Sequence, residues 1–273
     1  MFGFIPTFQV AAVAILCSKH VLSAPTPTFG VVYRGSTPAF QGWEHGMLDN
    51  AVEGAARHIM FMKTTIENAR KDDAESIQKI KDVFGEQFNL DEIENTANAL
   101  DSGVMKISSW RATFPDSKLL AAGSKAKHAV TIGREFYNGS TTPDWLRIGT
   151  LIHEATHLLS DTTDSWEWSD DSQTTLVPVA AGQASDDALQ GQWDNEYDLI
   201  KEHAGGNFHK NADTWFVFGY HLEYGTFPPH NPPFLPSTRR LQFVDIDHID
   251  YTDPDLLTFG PSQWFALIPD LAK

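Results

Sequence analysis

From Glu44 to Asp72 an apolar residue returns every three or four positions: Leu48, Val52, Ala55, Ile59, Met62 and Ile66. That spacing matches the turn of an α-helix and predicts one long amphipathic helix with a single face toward a core. A second helix is predicted over 74–83, stopped by Gly85, and a third over 90–100. The period then changes. KISSW and HAVTIGREFY are rich in β-branched and aromatic residues and read as short strands, with FPDSKLLAAGSKAK between them as turns. Thr142-Pro143-Asp144 reads as a helix start: a capping hydroxyl, a proline whose missing N–H costs nothing there, and an acid at the positive end. The helix that follows turns Trp145, Ile148, Leu151, Ile152, Ala155, Leu158 and Leu159 inward and should end near Ser160. Residues 161–192 are polar and read as loop, and further helices are expected from about Asn195 and Asn211. Residues 25–43 form an irregular lead-in. After Gly225 the prolines of FPPHNPPFLP punctuate a tail without periodicity. No internal repeat is visible. The pattern therefore predicts one domain over 44–225, with 226–273 as an irregular extension packed on it.

Composition sharpens this picture in two ways. With 41% hydrophobic and 12% aromatic residues the 273-residue chain can build a real core. Lys and Arg total 20 against 36 Asp and Glu, a net charge of −16, which repels nucleic acid and anionic membrane; no nucleic-acid partner is expected. The apolar stretch from Phe8 to Cys17, followed by small residues at Ser23-Ala24, reads as a secretory signal peptide over 1–24 and is too short for a membrane span. A secreted, extracellular protein follows, with no membrane span after signal removal. It would also carry no disulfide, because Cys17 is the single cysteine. The Asn138-Gly139-Ser140 sequon fits that location. A monomer is expected.

The chemistry sits in TLIHEATHLLSDTTD, residues 150–164. Residues four apart on a helix share a face, so His153 and His157 can grip one zinc ion. Glu154 is offset from that axis and is placed to act as general base toward zinc-activated water attacking a carbonyl. The rival is an ordinary helix carrying an i, i+4 histidine pair. A catalytic zinc needs a third protein ligand and an open position. Ser160 and Thr163 exclude the class that continues with Gly and a third His. Glu196 or Glu202 from a later helix, or Asp161 or Asp164 from the following loop, remain as third ligands on the residues alone.

At this point the sequence resembles the aspzincin metallopeptidases, the deuterolysin and peptidyl-Lys metalloendopeptidase group of mostly fungal secreted enzymes. That family follows its metal helix with a Gly-Thr-x-Asp loop whose Asp is the third ligand. Asp161-Thr162-Thr163-Asp164 stands in that place, so the resemblance implies Asp164 as ligand, with Asp161 where the family has Gly. VTIGREFYN, residues 130–138, is similar to the family's strand before the metal helix, and NADTWFVFG, residues 211–219, to its last-helix segment.

The resemblance implies an α+β, zincin-like fold, mostly helical with a small antiparallel or mixed sheet, over 44–225. It also implies a zinc-dependent metalloendopeptidase acting on a peptide or protein substrate. Where the family has an oxyanion tyrosine, this chain has Glu167 between Trp166 and Trp168, and Tyr220 is the nearest substitute considered. Lys-specific members carry a second acid where this chain has Phe216. Asp213 and Phe216 are then the expected substrate-binding pair, with little preference for lysine; for Asp213 a buried hydrogen-bond acceptor is the other role. The alternatives to a general protease are a secreted zinc-binding or catalytically altered homologue, and a metallopeptidase tailoring one specific peptide.

Overall fold

The computed structural model describes residues 29–33, 42–109, 120–124, 129–139, 142–180, 183–193 and 195–230. The signal-peptide reading of 1–24 and most of the extension after 226 fall outside them. The architecture is mixed α+β, mostly helical, with two small sheets. Six α-helices are described: α1 (Gly42–Ala69), α2 (Ala74–Phe84), α3 (Leu90–Ser102), α4 (Asp144–Ser160), α5 (Tyr197–His203) and α6 (Ala212–Tyr224). The strands are β1 (Gly30–Tyr33), β2 (Val104–Ser109), β3 (Ala121–Ser124), β4 (Ala129–Ile132), β5 (Ser165–Trp168), β6 (Leu176–Val179) and β7 (Leu189–Gln190).

The three predicted N-terminal helices form, for the reasons read from sequence. Leu48, Ala51, Ala55, Ile59, Met62 and Ile66 line the buried face of α1, with Ala51 in the place expected of Val52. The Asp73 carboxylate caps α2 at the Ser76 N–H, 2.8 Å away, and Gly85 ends it at φ 85°. Asn89 caps α3 through the N–H groups of Asp91 and Glu92.

One sheet has the order β1-β2-β4-β3; β1, β2 and β4 run parallel and β3 closes one edge antiparallel to β4. The other is an antiparallel ribbon in the order β6-β5-β7. Several expectations need correcting here. Residues 30–33, read as irregular, pair with β2. Residues 121–124, read as a turn, form β3. Their small side chains carry no strand signal, and pairing to β4 supplies what propensity lacks. Arg134–Tyr137 is a 3-10 helix rather than strand. Residues 161–192, read as loop, hold the second sheet, where only Trp166 of β5 and Leu176 of β6 are fully buried. Thr142 is not the cap of α4, because its hydroxyl donates to the Glu135 carbonyl at 2.8 Å and Pro143 takes the cap position.

Helix α4 packs against α1, α3, α6 and β3. Every residue from Leu146 to Leu158 is buried, so it is a central helix rather than a surface one. Its most extensive packing is against α6. A Cβ on Gly149 would lie 2.2 Å from the Phe216 ring, so this position admits only glycine without displacing that ring. Among the described residues, no helix is long and apolar enough to cross a membrane.

Candidate metal centre

The i, i+4 spacing puts the two histidine rings of α4 edge to face, 4.7 Å between centroids, with their Nε2 atoms 3.1 Å apart. Each ring is held from behind. The His153 Nδ1–H donates to Asp213 Oδ1 at 2.5 Å, and the His157 Nδ1–H donates to the Thr162 carbonyl at 2.9 Å. A carbonyl only accepts, so the His157 proton sits on Nδ1 and its Nε2 lone pair points inward. The same logic applies to His153 against a carboxylate. Such outer partners fix the orientation and tautomer of metal-binding imidazoles.

The third group arrives by a tight reversal. Asp161 ends α4 in the left-handed region, at φ 52° and ψ 40°. That is the conformation glycine adopts without strain and aspartate tolerates. Thr163 then bridges Asn211, with its N–H on the Lys210 carbonyl and its own carbonyl taking the Ala212 N–H. The Gly191 N–H holds the Asp164 carbonyl at 2.7 Å. These ties bring Asp164 Oδ2 to 3.5 Å from His153 Nε2 and 3.3 Å from His157 Nε2. The ligand atoms of His153, His157 and Asp164 all lie within 4.8 Å of one another, and the three side chains are buried.

Neither Asp164 oxygen has a hydrogen-bond partner, and neither does Glu154 Oε2. The two contacts from Asp164 to the histidines are charge proximity at the long limit of hydrogen bonding. Two inward lone pairs and an unpartnered carboxylate therefore face one point without a donor between them. A cation is what such a set lacks, and the group could hold a metal ion. Without one, a proton must substitute. Burial alone would push the His153 imidazole down, but Asp164 and Asp213 lift it well above its ordinary value. Burial would raise the Asp164 carboxyl, yet His153 and His157 hold it far below the carboxylate range. Glu154 is raised by burial, against the opposing pull of the two histidines. The Gly123 N–H, on the edge strand β3, donates to its carboxylate.

No protein-family model and no curated protein matches this chain.

Among the proposed third ligands, only Asp164 reaches the histidines. Glu196 accepts the Gln190 N–H before α5, Glu202 lies on α5 away from the cluster, and Asp161 is exposed. Asp213 is fully buried with both oxygens in use, Oδ1 on His153 and Oδ2 on the Trp193 N–H at 2.6 Å. Of the two roles read for it, this placement is that of the buried acceptor. Phe216 is buried in the α4–α6 contact, stacked on Trp145 at 5.9 Å. Glu167 accepts the Ser185 N–H, Trp166 is buried with its indole on Asn211, and Tyr220 packs on Trp145.

Sequence reasoning missed Thr162, Gly191 and Trp193. A Cβ at Gly191 would lie 1.9 Å from Asn211 Oδ1, so the backbone must pass close there. No short motif announces Gly191 and Trp193, because each acts there through its backbone; Thr162 lies inside the quoted acidic loop and also sets its hydroxyl 3.2 Å from His157 Nδ1. Asn211 lay within the quoted Asn-Ala-Asp segment, and its role is now plain: its amide ties the Gly191 carbonyl and the Trp166 indole together.

Proposed function

We propose that this protein is a secreted zinc metalloendopeptidase of zincin-like fold that hydrolyses peptide bonds. One observation carries the reading: two imidazole lone pairs and the unpartnered Asp164 carboxylate converge beside the buried, half-unpartnered Glu154. Two imidazoles and one carboxylate form a donor set suited to zinc, and three protein ligands leave a position open. His153, His157 and Asp164 would hold the ion, and a zinc ion there would supply Lewis acidity toward water and a peptide carbonyl. Glu154 accepts a proton from the attacking water at its carboxylate and returns it to the departing amine. Burial raises its proton affinity, which favours that exchange near neutral pH. The Gly123 N–H orients the same carboxylate, while Asp213 and the Thr162 carbonyl keep the two rings aimed inward. The helix lying under an edge strand of a mixed sheet supports the zincin-like assignment.

The substrate is a peptide or protein. With both Asp213 oxygens committed, Glu223 engaged by Arg57 and His58, and Phe216 apolar, α6 offers no uncommitted acid for a lysine side chain after the cut bond, so lysine preference should be weak or absent. A second reading has its own support. Glu167, Trp166 and Tyr220 are all engaged elsewhere, so none of the three is placed at the centre to support a developing oxyanion. That favours a zinc-binding homologue without efficient hydrolysis. Purified protein should contain one zinc per chain by elemental analysis and cut a peptide library in a chelator-sensitive way, read by mass spectrometry. Iron in place of zinc would overturn the metal assignment. Zinc without any chelator-sensitive cut would leave the second reading standing.

A further inference from the structure

Helix α6 ends at Gly225, whose left-handed conformation at φ 70° turns the chain back on itself. The residues that follow run to Trp193. The Phe227 ring stacks on that indole at 5.8 Å with planes 13° apart, and the His230 ring stacks at 4.5 Å and 10°. The Trp193 Nε1–H donates to the Pro228 carbonyl at 3.2 Å. The indole thus meets Phe227, Pro228 and His230 of the extension, and it also packs on the Tyr197 ring of α5 at 4.8 Å. Its backbone points the other way: the Trp193 N–H donates to Asp213 Oδ2, and Asp213 Oδ1 holds the His153 ring. Asp213 has no exposure to solvent, so water cannot replace a lost donor without opening the site. A carboxylate held by two donors on fixed elements keeps one orientation; held by one, it can rotate and take His153 with it.

We propose that the extension after α6 is a working part of the metal centre. Residues 227–230 clamp the Trp193 indole, the clamp fixes the Trp193 N–H, that N–H orients Asp213, and Asp213 aims His153. Trp193 and Phe227 are positioning residues, and the inference rests on the reading of His153 as a metal ligand. Phe227 is 40% exposed, so its truncation leaves the core closed; besides the clamp it removes a stack on His221 at 4.9 Å.

The test is a titration of cobalt(II), as a spectroscopic stand-in, into metal-free full-length protein. Phe227→Ala and Trp193→Ala should each bind cobalt roughly tenfold or more weakly and shift its visible absorption bands. Trp193→Phe keeps the stacking ring and the backbone N–H and should lie nearer wild type than Trp193→Ala. Ile80→Ala, a core truncation on α2, should lower thermal stability while leaving cobalt affinity and spectrum unchanged. If Trp193→Ala does not fold, Phe227→Ala decides alone. Wild-type affinity and spectrum in Phe227→Ala would overturn the inference but leave the metal-centre reading intact. A wild-type protein that takes up no cobalt would overturn both.

Discussion

Two buried histidine sites in this fold face carboxylates, and they are chemically unlike. His58, on α1, bonds Glu223 of α6, and Glu223 also takes the Arg57 Nε–H at 3.1 Å and an Nη2–H at 3.0 Å. One carboxylate there meets one imidazole and one guanidinium, at a rim where Arg57 reaches solvent. At the α4 centre, Glu154, Asp164 and Asp213 face two imidazoles, and no lysine or arginine pairs with any of the three acids among the described residues. The first site balances its own charge; the second carries surplus acceptors in a place water does not reach. Burial of a histidine is therefore not what marks a metal site. The surplus of inward acceptors is what makes the second group one that could hold a metal ion, because leaving them unpaired in a low-dielectric interior is costly.

The sharpest way to break that contrast is to touch Glu154. Glu154→Gln should keep the metal, because Glu154 is not among the converging ligand atoms, yet lower peptide hydrolysis by roughly 10²–10⁴-fold. Wild-type turnover in this variant would remove Glu154 from the chemistry. Next in size is metal-linked stability. Zinc at about a thousandfold its dissociation constant should add about 4 kcal/mol, seen as a chelator-reversible rise in melting temperature. Asp164→Ala should lose most of that rise. Glu196→Ala and His58→Gln should keep it, and an equal loss in either would erase the distinction between the two sites.

Acid should separate the sites too. Burial lowers the His58 pKa from 6.5 despite the Glu223 bond that raises it, so the folded state binds fewer protons than the unfolded chain. Its contribution is present above the unfolded value and lost as pH falls from about 6.5 toward the folded one. Glu223, pulled down by His58 and Arg57 against burial, is also depressed; its share persists above the unfolded carboxylate value of 4.5 and disappears below it. Denaturant melts of metal-free protein should weaken below about pH 6.5 in wild type, and less steeply in His58→Gln. Identical slopes would mean that His58 does not contribute. The smallest effect concerns the turn that delivers Asp164. Asp161→Gly relieves a left-handed non-glycine residue and should stabilise the fold by at most about 1 kcal/mol, with metal affinity unchanged. Lower stability in this variant would show that the Asp161 side chain contributes more than the strain it causes.

Much of the helical frame was legible in the chain. The apolar spacing of α1 and the stop at Gly85 are local signals, and local signals act within a turn or two; the caps Asp73 and Asn89 are equally local but came only with the structure. The i, i+4 pair on an apolar helix was legible for the same reason, and so was the acidic loop within seven residues of it. The small-residue strand β3 and the short, proline-interrupted β6 were not, because their stability comes from strand partners rather than from their own residues. The sequence by itself determined that two imidazoles share a face with a carboxylate beside them. Only the tertiary structure decided which acid joins them and which way each ring points. Those choices are made by backbone groups of Thr162, Gly191 and Trp193 and by the Asp213 carboxylate, which reaches His153 from a distant helix, so spacing along the chain carries no trace of them.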